Sequence, residues 1–152
     1  MVHPLIGIHA ALGEIGIFAF LWVFVEILNP TDQRMKRAKI VATLGFIFLL
    51  LSWIAGGYYY LNYYGPQVKP IIKEGPAPWA HEVVMEAKEH IFLFLPFLAL
   101  LAAALLHQNA KSANQTRRAT LLLCAIIILT GLAMAAMGYL ISSGARAALE
   151  VA

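Results

Sequence analysis

The chain has 152 residues, 61% of them hydrophobic and only 12% charged, where soluble domains carry about 25% charged residues. That balance excludes an ordinary soluble domain, and the formal net charge of +3 reads as membrane topology rather than nucleic-acid binding. A lone cysteine, Cys124, excludes a disulfide framework, a CxxC metal site and covalent c-type haem attachment.

A bilayer span takes roughly 20 apolar residues, and the run Leu5–Leu28 predicts a first helix over 5–28. It has no basic leading region and no small-residue cleavage site, so it reads as a retained helix. On its wheel His9, Gly13, Gly16 and Phe20 fall within about 60° of one another. A histidine followed by two glycines makes a flat, recessed stripe with an axial nitrogen, the shape a planar cofactor needs; small-residue helix packing gives the same pattern. Glu14 lies on another stripe, with His3, Gly7 and Ala10, roughly 13 Å below the start of the run. A charge there is costly, so Glu14 is expected to be protonated, ligated or bonded to a neighbouring helix. Glu26 stands near a basic loop and is expected to pair there.

That loop, "NPTDQRMKRAK", holds Arg34, Lys36, Arg37 and Lys39. The second helix is predicted over 39–62, ending in "GGYYYLNYYG", an interfacial aromatic belt. Residues 63–78, with Pro66, Pro70, Pro76 and Pro78, predict a semi-rigid loop. The third helix is predicted over 79–107, opened by Pro78. There Glu82, Glu86, Glu89 and His90 share an arc of about 100°, continued by Leu93 and Phe97, with Lys88 turned away and His81 opposite His90. The acids also suit a first helical turn, where they complement the helix dipole. A second basic loop holds Lys111, Arg117 and Arg118 before a fourth helix predicted over 118–142.

The expected fold is therefore all-α and integral to a membrane: one domain over 1–152, a four-transmembrane-helix antiparallel bundle. The two basic loops share one side, so both termini and the middle loop are expected outside a prokaryotic inner (cytoplasmic) membrane. Sliding the chain by 81 residues matches Arg37 with Arg118, Gly57-Tyr58 with Gly138-Tyr139, and His9 with His90. A two-hairpin repeat would relate the halves by a pseudo-twofold axis along the membrane normal.

Two metal arrangements follow. In one, His9 and His90 are the axial ligands of one haem b near the outer leaflet. Gly13, Gly16 and Phe97 would lie against it, and propionates would point toward Lys69, Lys73, Lys88 or Arg146. In the other, His9, His90, Glu14, Glu86 and Glu89, with His3 and His81 in reach, hold non-haem iron, manganese or copper. Bundles that hold two metals use paired Glu-x-x-His motifs, and this chain has only "EAKEH". A third arrangement needs no metal: Glu14, Glu86 and Glu89 handle protons, or the site meets a quinone headgroup. A fourth is an accessory subunit of a larger membrane complex.

At "VHPLIGIHAALGEIG" and "EAKEHIF" the chain resembles small four-helix membrane cytochromes of b type and related uncharacterised membrane proteins. The resemblance is of arrangement, histidines in the outer leaflet on helices one and three. It implies electron transfer or membrane oxidoreductase activity, with a quinone or a redox partner protein. The leading expectation is a haem b electron-transfer protein in the lipid bilayer, and glycine faces on helices two and four leave room for a homodimer.

Overall fold

The computed structural model describes residues 3–108 and 113–151, and every regular element in them is helical. Helix α1 is Pro4–Leu28, α2 Asp32–Tyr59, α3 Lys69–Glu74, α4 Glu86–Phe92, α5 Leu95–His107 and α6 Ala113–Glu150. Two π-helical stretches, Tyr60–Val68 and Ala80–Met85, join α2 to α3 and lead into α4. Four rods result, Pro4–Leu28, Asp32–Glu74, Ala80–His107 and Asn114–Glu150, each long and apolar enough to cross a membrane.

Local chemistry sets the starts. His3 caps α1, its Nδ1 accepting from the Leu5 N–H at 3.3 Å, and Pro4 occupies the first turn, where a missing N–H is harmless. Thr31 caps α2 by accepting from the Arg34 N–H at 3.3 Å. Asp32 in the first turn complements the dipole. With that cap, α2 begins seven residues earlier than the apolar run alone predicts.

The region expected as a loop over 63–78 is helical as far as Glu74, leaving only residues 75–78 as the connection. In an α-helix the Pro66 ring would crowd the Asn62 carbonyl. Here the helix widens to i→i+5 bonding, as in Lys69 N–H to Tyr64 O, so the proline is accommodated without ending the rod. Pro70 then sits in the first turn of α3. Pro96 has the opposite outcome. It opens α5 after a break at Leu93–Phe94, dividing the rod expected as one helix over 79–107. At the other junction Lys111 lies outside the described residues.

Neighbouring rods run in opposite directions. His3 meets Tyr59 and Tyr63 at one end, ring centroids 5.6 and 4.0 Å apart, and His107 Nε2 meets Thr43 Oγ1 at 3.1 Å toward the other. The first is called the tyrosine end below and the second the basic end. The main core gathers Phe20, Val23, Ile27, Leu49, Leu106 and Ile127; a smaller cluster of Tyr64, Ile72, Ala80 and Ile141 lies at the tyrosine end. Only 22–33% of each apolar window is buried, so most of the apolar surface faces outward. That is the distribution lipid requires.

The basic end is tied by Glu26, buried as expected to meet its bases. Its carboxylate accepts from Trp22 Nε1, Arg34 Nε and Arg37 Nε, each at 2.9 Å. Arg34 also donates to the Asn29 and Val25 carbonyls at 3.1 and 3.2 Å, serving acceptors that the end of α1 leaves without partners.

Close approach of α1 and α2 depends on glycine. A Cβ at Gly16 would fall 2.7 Å from Leu49 Cγ, whereas at Gly7 nothing lies within 4 Å. Gly16→Val is therefore expected to destabilise the bundle by about 1–3 kcal/mol through overpacking. Gly7→Val is expected to stay within about 0.5 kcal/mol. Denaturant titration of both variants in detergent micelles checks the difference.

Candidate functional site

Beyond the Glu26 cluster of the basic end, two groups of polar side chains meet at two levels. The upper level is the tyrosine end, where the Tyr60–Val68 stretch lies over the Ala80–Met85 stretch. His81 and Tyr64 are both buried there, and His81 Nδ1 stands 3.1 Å from the Tyr64 hydroxyl. On its other side Nε2 is 3.6 Å from Glu86 Oε1, an ion-pair distance too long for a direct hydrogen bond. The exposures decide what such a chain can do. The His81 side chain is 2% exposed and that of Glu86 47%, so the three groups run from a buried phenol to the surface.

This contact is a product of the π turn. In an α-helix residues five apart point about 140° away from each other. Where bonding is i→i+5, as from the Glu86 N–H to the His81 carbonyl, they lie nearly one above the other. A 100° wheel therefore sets His81 and Glu86 on different faces. It also places Tyr64 in an aromatic belt rather than in the site. The sign that points to it in the sequence is Pro66 within an otherwise helical run, since single π turns are frequent where functional sites sit.

Tyr60 stacks on Tyr64 with centroids 5.5 Å apart and stands beside Glu89. Among the described residues Glu89 Oε1 is buried without a hydrogen-bond partner, which is costly for an acceptor. Glu82 is exposed.

The lower level is His9. Ser52 Oγ donates to the His9 carbonyl at 2.8 Å, which leaves His9 Nδ1 as the donor toward the Ser52 carbonyl at 2.9 Å and Ser52 Oγ at 3.0 Å. That assignment follows from the network and fixes the tautomer, with the lone pair on Nε2. The ring lies over Gly56, where a Cβ would fall 2.7 Å from Nδ1, and meets Phe92 edge-on at 5.6 Å.

His90 belongs to neither group. Its Nδ1 donates to the Glu86 carbonyl one turn back, at 2.6 Å, and its ring lines a crevice between the Leu93–Phe94 break and α6. His9 and His90 share no hydrogen bond, ring contact or crevice among the described residues. Each has a bonded Nδ1 and an available Nε2, which is ligand chemistry. The stripe of Gly13 and Gly16 is filled by Ser52 and Leu49. The remaining expected residues are dispersed. His3 is a helix cap. Glu14 is exposed on α1. Arg146 donates to Ser143 Oγ at 3.0 Å. Phe97 lines an apolar crevice with Phe46, Leu50, Trp53, Pro96 and Leu100. No three of His, Cys, Asp or Glu among the described residues converge on a metal-sized space.

No family model, curated protein or solved structure matches the chain. The lock between α1 and α2 can be tested on its own. Ser52→Ala removes one donor and one acceptor opposite His9, and the expected loss is about 0.5–1.5 kcal/mol of unfolding free energy in micelles. An unchanged midpoint would show that the backbone carbonyl alone holds the ring.

Proposed function

We propose that this chain is an integral membrane protein whose tyrosine end handles protons, as an accessory subunit beside a redox partner. One observation supports the reading above others: buried His81 lies between the Tyr64 hydroxyl at 3.1 Å and the exposed Glu86 carboxylate at 3.6 Å. With the Tyr64 O–H donating to Nδ1, the Nε2–H is directed at Glu86. A proton leaving Tyr64 is taken by Nδ1 while Nε2–H is released toward Glu86, and Glu86 exchanges with water. At 3.6 Å the last transfer calls for slight closure or one bridging water. Glu89 stands beside Tyr60 next to this chain. The bases of the two basic turns favour that end inside, which supports a relay at the outer face of a prokaryotic inner membrane. Glu14 supports the place in a larger assembly, because an exposed carboxyl in the apolar length of α1 is costly against lipid and a second protein chain would cover it.

The relay predicts a rate. In lipid nanodiscs, exchange of the His81 ring N–H with water, read by ¹⁵N-edited magnetic resonance, is expected to slow at least about tenfold in Glu86→Gln. Tyr64→Phe is expected to leave that exchange intact, because the route to water runs through Glu86. Equal exchange in wild type and Glu86→Gln would remove the relay.

A second reading, a haem b electron-transfer protein, draws on the bonded Nδ1 and available Nε2 of both His9 and His90. It requires both Nε2 atoms on one iron. A visible spectrum before and after dithionite separates the readings. The proton-handling reading expects no reduced α band; a sharp band lost in both His9→Ala and His90→Ala would establish haem.

A further inference from the structure

Glu14 stands about 15 Å along α1 from Pro4 and about 18 Å from Glu26 at the basic end, deep within the apolar length of its rod. It is exposed, and the ion pairs among the described residues belong to Glu26 and Glu86, so nothing in its own chain answers it. Acyl chains offer a carboxyl neither donor nor acceptor, which makes lipid a costly cover for it. The exposed face around it runs Gly7, Ala11, Glu14, Phe18, Leu21 and Val25, at alternating steps of four and three residues. Such steps hold one stripe against a neighbouring helix over several turns. Gly7 is a second sign. Glycine weakens a helix interior relative to alanine, and at Gly13 and Gly16 packing against Ser52 and Leu49 uses the missing Cβ. At Gly7 nothing lies within 4 Å of where a Cβ would be. The close approach that glycine permits is open there to a helix from outside.

The chemistry of the carboxyl chooses the helix. A neutral carboxyl has an O–H donor and a C=O acceptor, so it is complementary to a second carboxyl facing it. Two α1 helices lying parallel about a twofold axis along the membrane normal place like residue against like. Gly7 and Ala11 then let the backbones approach above, and Glu14 meets its counterpart. Phe18, Leu21 and Val25, exposed by 66, 42 and 48%, supply apolar area below. A single polar position in such a seam also fixes its register. We propose that two copies of this chain pair through this face of α1, with Glu14 and the partner subunit's Glu14 exchanging O–H···O=C hydrogen bonds. The pairing names the chain that covers Glu14 in the accessory-subunit reading and rests on that reading there alone. It involves neither Tyr64, His81 nor Glu86.

The test uses the full chain in vesicles of synthetic phosphatidylcholine, with a donor or acceptor dye on a C-terminal tag. Energy transfer between copies is read as the protein is diluted in lipid. The wild-type chain is expected to transfer well above the level of random placement. Glu14→Gln, whose amide also donates and accepts, is expected to pair as the wild type does. Glu14→Leu and Gly7→Val are each expected to weaken pairing at least about fivefold. Leucine suits lipid and Gly7 touches nothing in its own chain, so both variants fold; an unchanged unfolding midpoint in excess detergent, one chain to a micelle, checks this. Oxidative cross-linking locates the face: Ala11→Cys is expected to couple several-fold more than Leu129→Cys, a position 67% exposed on α6. Wild-type transfer no greater than random placement overturns the proposal. So does pairing as tight in Glu14→Leu as in the wild type, or equal cross-linking at the two positions. A loss in Glu14→Gln as large as in Glu14→Leu also overturns it, and assigns Glu14 to a cationic chain instead. Exchange at His81 is read separately, so a monomeric chain leaves the relay standing.

Discussion

Helices α1 and α2 hold each other through a reciprocal exchange: the Ser52 hydroxyl donates to the His9 carbonyl, and the His9 ring donates back to Ser52. Between helices in lipid the hydrophobic effect supplies no attraction, because acyl chains are as apolar as the side chains they would replace. Association then rests on close packing and on the few polar contacts available. Gly56 lets the imidazole lie against α2, and Gly16 admits Leu49. At the far end of the same pair Glu26 ties Arg34 and Arg37 across the turn. With α1 and α2 fixed at two heights, the remaining rods have a rigid surface to pack on, and the tyrosine end has a foundation.

Prolines then decide what is built there. The two π stretches do different work from the α-helices they join. The first carries Tyr60 and Tyr64 past Pro66 without breaking the rod, bringing both rings over the start of the next one. The second rotates His81 onto the face of Glu86. Pro96 acts further along, where the helix stops and restarts. The gap at Leu93–Phe94 exposes the His90 ring to a lateral crevice rather than to the core. The Tyr64–His81–Glu86 contacts are found where the α-helical repeat is interrupted.

The same point explains what could be read from the sequence. Apolar runs have a length that only a membrane-sized helix satisfies, so the four rods and the pairing of Glu26 with its bases were legible. A wheel at 100° per residue is valid only while the helix stays α. It served for His9, Gly13 and Gly16, which do share a face, although that face meets α2. It failed across Ala80–Met85, where the repeat changes. The 81-residue offset pairs His9 with His90 but Ser52 with Ala133, and an alanine cannot return the bond that fixes His9. The two histidines accordingly have unlike settings, one locked across a helix pair and the other bonded within its own helix.

Glu86 joins the two upper features. Its main-chain carbonyl accepts the hydrogen bond from His90 Nδ1–H, and its carboxylate faces His81 Nε2. One residue thereby fixes the tautomer of His90 beside the crevice and supplies the surface end of the buried chain from Tyr64. The two roles use different atoms, so replacing the side chain alters the second without removing the first. Main-chain geometry at Glu86, set by the last widened turn, governs both: had the helix remained α from Ala80 onward, His81 would point away from the carboxylate. The acids and histidine of "EAKEHIF" are thus divided between two surfaces by the change of helical repeat just before them.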